Sequence, residues 1–173
     1  MTRTCSWCSK EFDISKRSGQ PDRGMIPPLC AACSELMVFQ MGVPLQTFID
    51  RLPAPIFVVN DNVEVQAANT LGLKLLNKES RAVLKKLGGI VFECAYARLP
   101  EGCGKTVHCS GCAIRRAVYQ TFESGKSLSD VPATIHHSGQ GEPQDIALLI
   151  STEKMGDVIL LKVEKASAPV TQS

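Results

Sequence analysis

Leu52-Pro53-Ala54-Pro55-Ile56-Phe57-Val58-Val59-Asn60 is the stretch whose reading decides the fold. Ile56 to Val59 is a run of four apolar, mostly β-branched or aromatic residues, which reads as a buried strand. Asn60-Asp61-Asn62 supplies a turn, because short polar side chains bond their own backbone. Val63, Val65 and Ala67 then alternate with Glu64 and Gln66, so a second strand with one polar face is predicted.

On the C-terminal side, a short helix is expected from about Asn69 with Leu71, Leu75 and Leu76. Another is expected over Ser80 to Leu87, its stripe Val83, Leu84 and Leu87, stopped by Gly88-Gly89. A longer helix is predicted from Ser110 to Ser124. Ile114, Ala117, Val118 and Phe122 mark its buried face, while Arg115, Arg116, Gln120 and Glu123 face outward. Three strands follow, Leu128 to His136, Gln144 to Ser151 and Asp157 to Val163, joined by polar turns at Ser138-Gly139-Gln140-Gly141 and Lys154-Met155-Gly156.

On the N-terminal side, Leu45, Phe48, Ile49 and Leu52 lie at i, i+3, i+4 and i+7, one face of a helix. Gly42 and Pro44 are expected to divide this helical region. Residues 1 to 33 show little apolar periodicity, so a metal must stand in for the missing core.

Eight cysteines form two quartets. Cys5, Cys8, Cys30 and Cys33 are two C-x2-C pairs separated by residues 9 to 29. Cys94, Cys103, Cys109 and Cys112 form the second quartet, again ending in C-x2-C. Thiolates are soft ligands, and two intervening residues let both sulfurs of a pair reach one ion.

Two strands, short helices, a longer helix and three antiparallel strands is the element order of a PAS domain. The stretch Leu52 to Asn60 resembles the opening strand of many bacterial PAS sensors. Asn69, ahead of Leu75-Leu76, resembles the Asn that begins the helix there. The resemblance covers about Pro44 to Lys165. It implies an α+β fold: a five-stranded antiparallel sheet with helices on one face, and a sensory or protein-interaction role. It also implies that the helix before the first strand mediates dimer contacts and signal transfer. Most PAS domains have no cysteine quartet ahead of the long helix. Gly102-Cys103-Gly104-Lys105-Thr106 followed by Cys109-x2-Cys112 is similar to a segment of some bacterial signalling PAS proteins.

The domain reading is therefore a zinc-binding module over 1–35, a linker or signalling helix over 36–52, a PAS domain over 53–165 containing the metal-binding segment 94–112, and a disordered tail over 166–173. The first module resembles zinc-ribbon or treble-clef units, with zinc expected at Cys5, Cys8, Cys30 and Cys33. For Cys94, Cys103, Cys109 and Cys112, iron–sulfur and zinc both remain open. Cys109 and Cys112 are expected at the start of the long helix, where N–H groups and the helix dipole favour thiolate. Gly102, Gly104 and Gly111 are expected to let backbone approach the sulfurs. His108 is an alternative ligand beside Cys109. His136 and His137 read as strand-end residues pointing to opposite faces.

Other chemistry is not supported. Gly104-Lys105-Thr106 is no P-loop, because Leu99 stands where that motif needs glycine. Ser9, Ser34 and Ala113 follow the C-x2-C pairs, which excludes covalent c-type haem attachment. No catalytic constellation stands out, so the chain is expected not to be an enzyme. No apolar run approaches membrane-spanning length. The N-terminus lacks the apolar segment of a secretory signal, so a cytoplasmic protein with reduced cysteines is expected. Net charge of +2 is too small to argue for nucleic acid.

The function expected is a redox- or oxygen-responsive sensor acting through a partner such as a kinase or regulator, with a homodimer through the linker helix as one route. The alternative is a transcription-associated regulator with structural zinc at both sites. Its zinc module would bind nucleic acid through Lys10, Lys16, Arg17 and Arg23.

Overall fold

The computed structural model describes residues 2–5, 8–13, 30, 32–33, 43–138 and 142–168. Residues 34–42 of the expected helical region, the cations Lys16, Arg17 and Arg23, turn residues Gly139, Gln140 and Gly141, and the tail from 169 onward lie outside the described residues.

Strands β1 (Thr2–Thr4) and β2 (Glu11–Asp13) form a small antiparallel pair with Arg3 opposite Phe12. Helix α1 (Val43–Asp50) follows, then β3 (Ile56–Val59) and β4 (Val65–Ala68). Three short helices come next: α2 (Thr70–Leu76), α3 (Ser80–Val83) and α4 (Gly88–Val91). Single 3-10 turns at Ala95–Arg98 and Val107–Gly111 lead into α5 (Ala113–Ser124). Strands β5 (Leu128–His137), β6 (Gln144–Met155) and β7 (Val158–Ala166) close the fold.

The expected α+β, PAS-like architecture is present. Five strands form one antiparallel sheet in the order β4-β3-β7-β6-β5. β3 and β7 lie inside it, and this explains why Ile56 to Val59 reads as an unbroken apolar run: the strand is buried on both faces. Phe57 and Val59 join the core that also holds Phe92, Ile114, Val118, Ile159 and Leu161. Ile56 and Val58 join a second core with Val158 and Leu160.

That second core is closed by α1, whose predicted stripe Leu45, Phe48, Ile49 and Leu52 is fully buried, and by Cys5 and Cys33 of the N-terminal module. The stripe is therefore not open to a second copy of the chain. α1 begins at Val43 with Pro44 in its first turn, where a missing N–H costs nothing; Gly42 and the segment before it, where the division was expected, lie outside the described residues.

Asn69 ties these layers together. Its Oδ1 accepts from the N–H groups of Ile56 at 2.9 Å and Gly72 at 2.8 Å, capping α2. Its Nδ2 donates to the carbonyls of Ile49 at 3.0 Å and Ala54 at 2.7 Å.

Two local expectations are corrected. Val63 is not in the second strand but in the preceding turn, at φ 61°. The helix expected over Ser80 to Leu87 ends at Val83, because the following backbone pairs with β4: Lys85 N–H donates to Val65 at 2.7 Å and Val65 N–H to Lys86 at 2.9 Å. Gly88-Gly89 opens α4 instead of stopping α3.

α5 packs on the sheet through Ile114, Ala117, Val118 and Thr121. Thr121 shares a buried 2.6 Å hydroxyl hydrogen bond with Thr152 of β6. Lys154 caps the far end, donating to the Phe122 carbonyl at 2.7 Å with its ammonium 4.4 Å from the Phe122 ring centre.

Candidate metal centres

The first quartet is built by a hairpin. β1 and β2 bring the chain back on itself, Cys5 N–H donates to Lys10 at 2.8 Å, and Ser9 N–H donates to Cys5 at 2.9 Å with Ser9 at φ 59°. This knuckle presents Cys5 and Cys8 to Cys30 and Cys33. All four Sγ atoms lie within 4.8 Å of one another, and Cys8 and Cys30 are 3.8 Å apart. Tetrahedral zinc with Zn–S bonds of about 2.3 Å separates its sulfurs by about 3.8 Å, so the spacing fits one ion. No disulfide joins any of the eight cysteines. Cys5 and Cys33 are buried against the sheet. Burial, reinforced by the other three thiols, pushes the Cys33 thiol far up. Thiols crowded in this way release their protons in exchange for a divalent cation.

The second quartet is arranged differently. Among the described residues, the first quartet is the only group of three or more His, Cys, Asp or Glu whose donor atoms all gather within 4.8 Å. Cys94, Cys103, Cys109 and Cys112 instead line one common cavity of about 380 Å³, each half-buried. Cys94 follows α4 and makes an isolated β-bridge with His137 at the end of β5. Cys112 occupies the cap position of α5 but makes no side-chain capping bond.

Cys109 is the sulfur with the most donors. Gly104 N–H donates to it at 3.1 Å and the Thr106 hydroxyl lies 3.2 Å away. Burial works to raise its thiol, yet the Thr106 hydroxyl, the backbone N–H groups of Thr106 and Gly104, and the Arg115 charge together hold it below the ordinary range. Loop donors and a cation therefore activate Cys109, in place of the expected helix start. Cys94 behaves oppositely. Burial pushes it up despite backbone bonds from Tyr96 and Ala97, and Cys112 and Cys103 add to the rise.

The glycines divide as well. Gly104 sits at φ 86°, a conformation that strains any other residue, and a Cβ there would fall 2.4 Å from Arg115 Nη2 and displace the guanidinium. A Cβ added at Gly102 or Gly111 would meet nothing within 4 Å, whereas Gly104 brings its N–H to 3.1 Å from Cys109 Sγ. Gly89, read only as a helix stop, matters more: a Cβ there would lie 2.6 Å from Cys103 Sγ.

Arg115, expected to face outward, turns toward the quartet. Its guanidinium donates to Asn62 Oδ1 at 3.1 Å and to the Asn62 carbonyl at 3.3 Å, and Nη2 stands 4.0 Å from Cys103 Sγ. His108 lines the cavity and stacks on Tyr96 at 4.0 Å, with 11° between ring planes. Tyr96 also meets His136 edge-on at 5.1 Å. His136 and His137 do point apart. His136 bonds Asp145 at 2.7 Å, while buried His137 bonds Glu93 at 3.0 Å. Glu93 also pairs with Lys78 at 3.0 Å. Burial opposes its charge, but Lys78 and His137 hold its carboxyl below the usual range.

No family model matches the chain, and no curated protein matches it. Solved structures do resemble it in shape. The LOV protein of Rhodobacter sphaeroides is 13% identical with a TM-score of 0.49, over 72% of this chain and 64% of that one. The photoactive yellow protein domain of the sensor histidine kinase Ppr from Rhodospirillum centenum is 17% identical with a TM-score of 0.44, over 75% and 97%. The RpfR quorum-sensing receptor PAS domain of Cronobacter turicensis, in complex with BDSF, is 14% identical with a TM-score of 0.45, over 66% and 95%. The chain thus spans less than two thirds of the LOV protein's length. Among the described residues no helix is long and apolar enough to cross a membrane.

Proposed function

We propose that this chain is a sensory PAS-like protein whose first cysteine quartet holds structural zinc and whose second holds a redox- or oxygen-responsive iron–sulfur cluster. The observation that carries the reading is the contrast in sulfur placement. Four thiols gathered to ion spacing suit one zinc, whereas four thiols spread around a shared cavity suit a larger body. Half-buried cysteines, one of them with its thiol held below the ordinary range by loop donors, also suit a centre that reacts.

A cluster held by Cys94, Cys103, Cys109 and Cys112 supplies a one-electron change or an oxygen-labile bond set. The chain's own residues connect that site to the sheet. Cys94 is bridged to His137 of β5, and Glu93 locks His137 to Lys78. Cys112 stands at the N-terminal cap position of α5, which lies on the core side of the sheet. A change at these sulfurs therefore bears on β5 and α5 first. On the sheet's opposite face lie α1 and the first quartet, a route by which a signalling partner reads the change.

The test is anaerobic purification followed by air exposure, watched by visible absorption and by hydrogen exchange. The expected result is a coloured protein that bleaches while protection changes in β5 and α5. A colourless protein with an exchange pattern indifferent to oxygen overturns the reading.

A further inference from the structure

We propose that Arg115 sets the reduction potential of the second centre and anchors its ligand loop to the Asn60–Val63 turn; this deepens the cluster reading above and rests on it. Helical periodicity directs Arg115 toward solvent, yet its guanidinium lies across Gly104. It reaches that place because residue 104 has no side chain, and it is held there by two hydrogen bonds to Asn62.

Three observations assign it a role toward the sulfurs. Among the described residues it is the only lysine or arginine lining the cavity. Its Nη2 faces Cys103 Sγ at 4.0 Å, a distance for charge attraction more than for a firm hydrogen bond. Among the described residues no carboxylate pairs with it, since its partners are the neutral amide and carbonyl of Asn62. Its charge is therefore not cancelled locally. A cation beside thiolate ligands favours the more negative, reduced form of the centre and so raises its potential. The same guanidinium, fastened to Asn62, fixes the Cys103–Gly104 segment against the turn that links β3 to β4. The planar fork matters, because lysine offers the charge at a single nitrogen without the rigid two-nitrogen geometry that reaches both Asn62 oxygens.

The experiment is an anaerobic redox titration of the full chain, followed by visible absorption, with iron and sulfide measured on each sample. Arg115→Gln is expected to keep its iron and sulfide but to titrate at a more negative potential than the wild type. Arg115→Lys is expected to keep a potential near that of the wild type while losing iron faster in air. Asn62→Asp leaves the arginine in place and sets a carboxylate against it, so it too is expected to titrate more negatively. It decides the matter should Arg115→Gln not retain its iron. Wild-type potentials in both Arg115→Gln and Asn62→Asp overturn the assignment while leaving the cluster intact. Wild-type protein without iron and sulfide overturns the cluster reading itself.

Discussion

The two cysteine quartets use the same ligand type, and their surroundings make them different sites. In the first, Cys5 and Cys33 are buried in an apolar core shared with α1 and the sheet, and the sulfurs are drawn to ion spacing. In the second, the sulfurs border a cavity that also holds a cation, stacked rings and backbone donors, and every ligand is half-exposed. A closed site with apolar walls holds an ion for structure, whereas an accessible site with polar donors tunes what it holds. On the proposed reading, what separates scaffold from detector is the wall around the sulfurs.

The largest effect expected from this contrast is at the first quartet. Structural zinc contributes about 10 kcal/mol or more to a module that lacks its own core. Cys33→Ser is expected to lose that zinc and the β1–β2 hairpin, while the second site keeps its absorption. Zinc content and near-ultraviolet circular dichroism check this, and retention of the ion would break the comparison.

Next comes Gly89→Ala. Its Cβ would press within 2.6 Å of Cys103 Sγ, and overpacking of this kind costs about 1–3 kcal/mol. The expected outcome is a folded protein that retains zinc but loses most of its iron. Unchanged iron would show that Cys103 is not a ligand.

Glu93→Gln probes the link from Cys94 to β5. The Glu93 carboxyl lies below its ordinary value of 4.5 in the folded chain, so its stabilisation is present above that value. The contribution is lost as pH falls through the lower folded value. The variant is expected to be weaker by about 1–3 kcal/mol at neutral pH, with a flatter stability profile in acid. Urea denaturation across the acid range measures both. A wild-type profile would remove the network from the account.

Thr106→Val carries the smallest effect. Loss of one hydroxyl contact to Cys109 is worth about 1 kcal/mol, so bleaching in air is expected to quicken by roughly a factor of five. An unchanged lifetime would mean that the loop donors do not tune the site.

Much of the fold was legible because it rests on periodicity. The stripe Leu45, Phe48, Ile49 and Leu52, the apolar run Ile56 to Val59 and the cap residue Asn69 each carry a local signal that packing obeys. Where the sequence misled, a tertiary contact had overruled local pattern. Leu84 and Leu87 continue a helical stripe, but backbone pairing with Val65 draws that segment away. The cysteine spacing marked both quartets and could not reveal that one gathers its sulfurs while the other lines a cavity. Arg115 was hidden for a related reason: its helical position points outward, but its guanidinium bends back over Gly104 to donate to Asn62.

Site-resolved elemental analysis tests the central claim most directly. Zinc, iron and acid-labile sulfide are measured in anaerobically prepared wild type, Cys33→Ser and Cys109→Ser. The account predicts zinc, iron and sulfide in the wild type, loss of zinc alone in Cys33→Ser, and loss of iron and sulfide alone in Cys109→Ser. Zinc as the sole metal, with one equivalent lost in each variant, would contradict it.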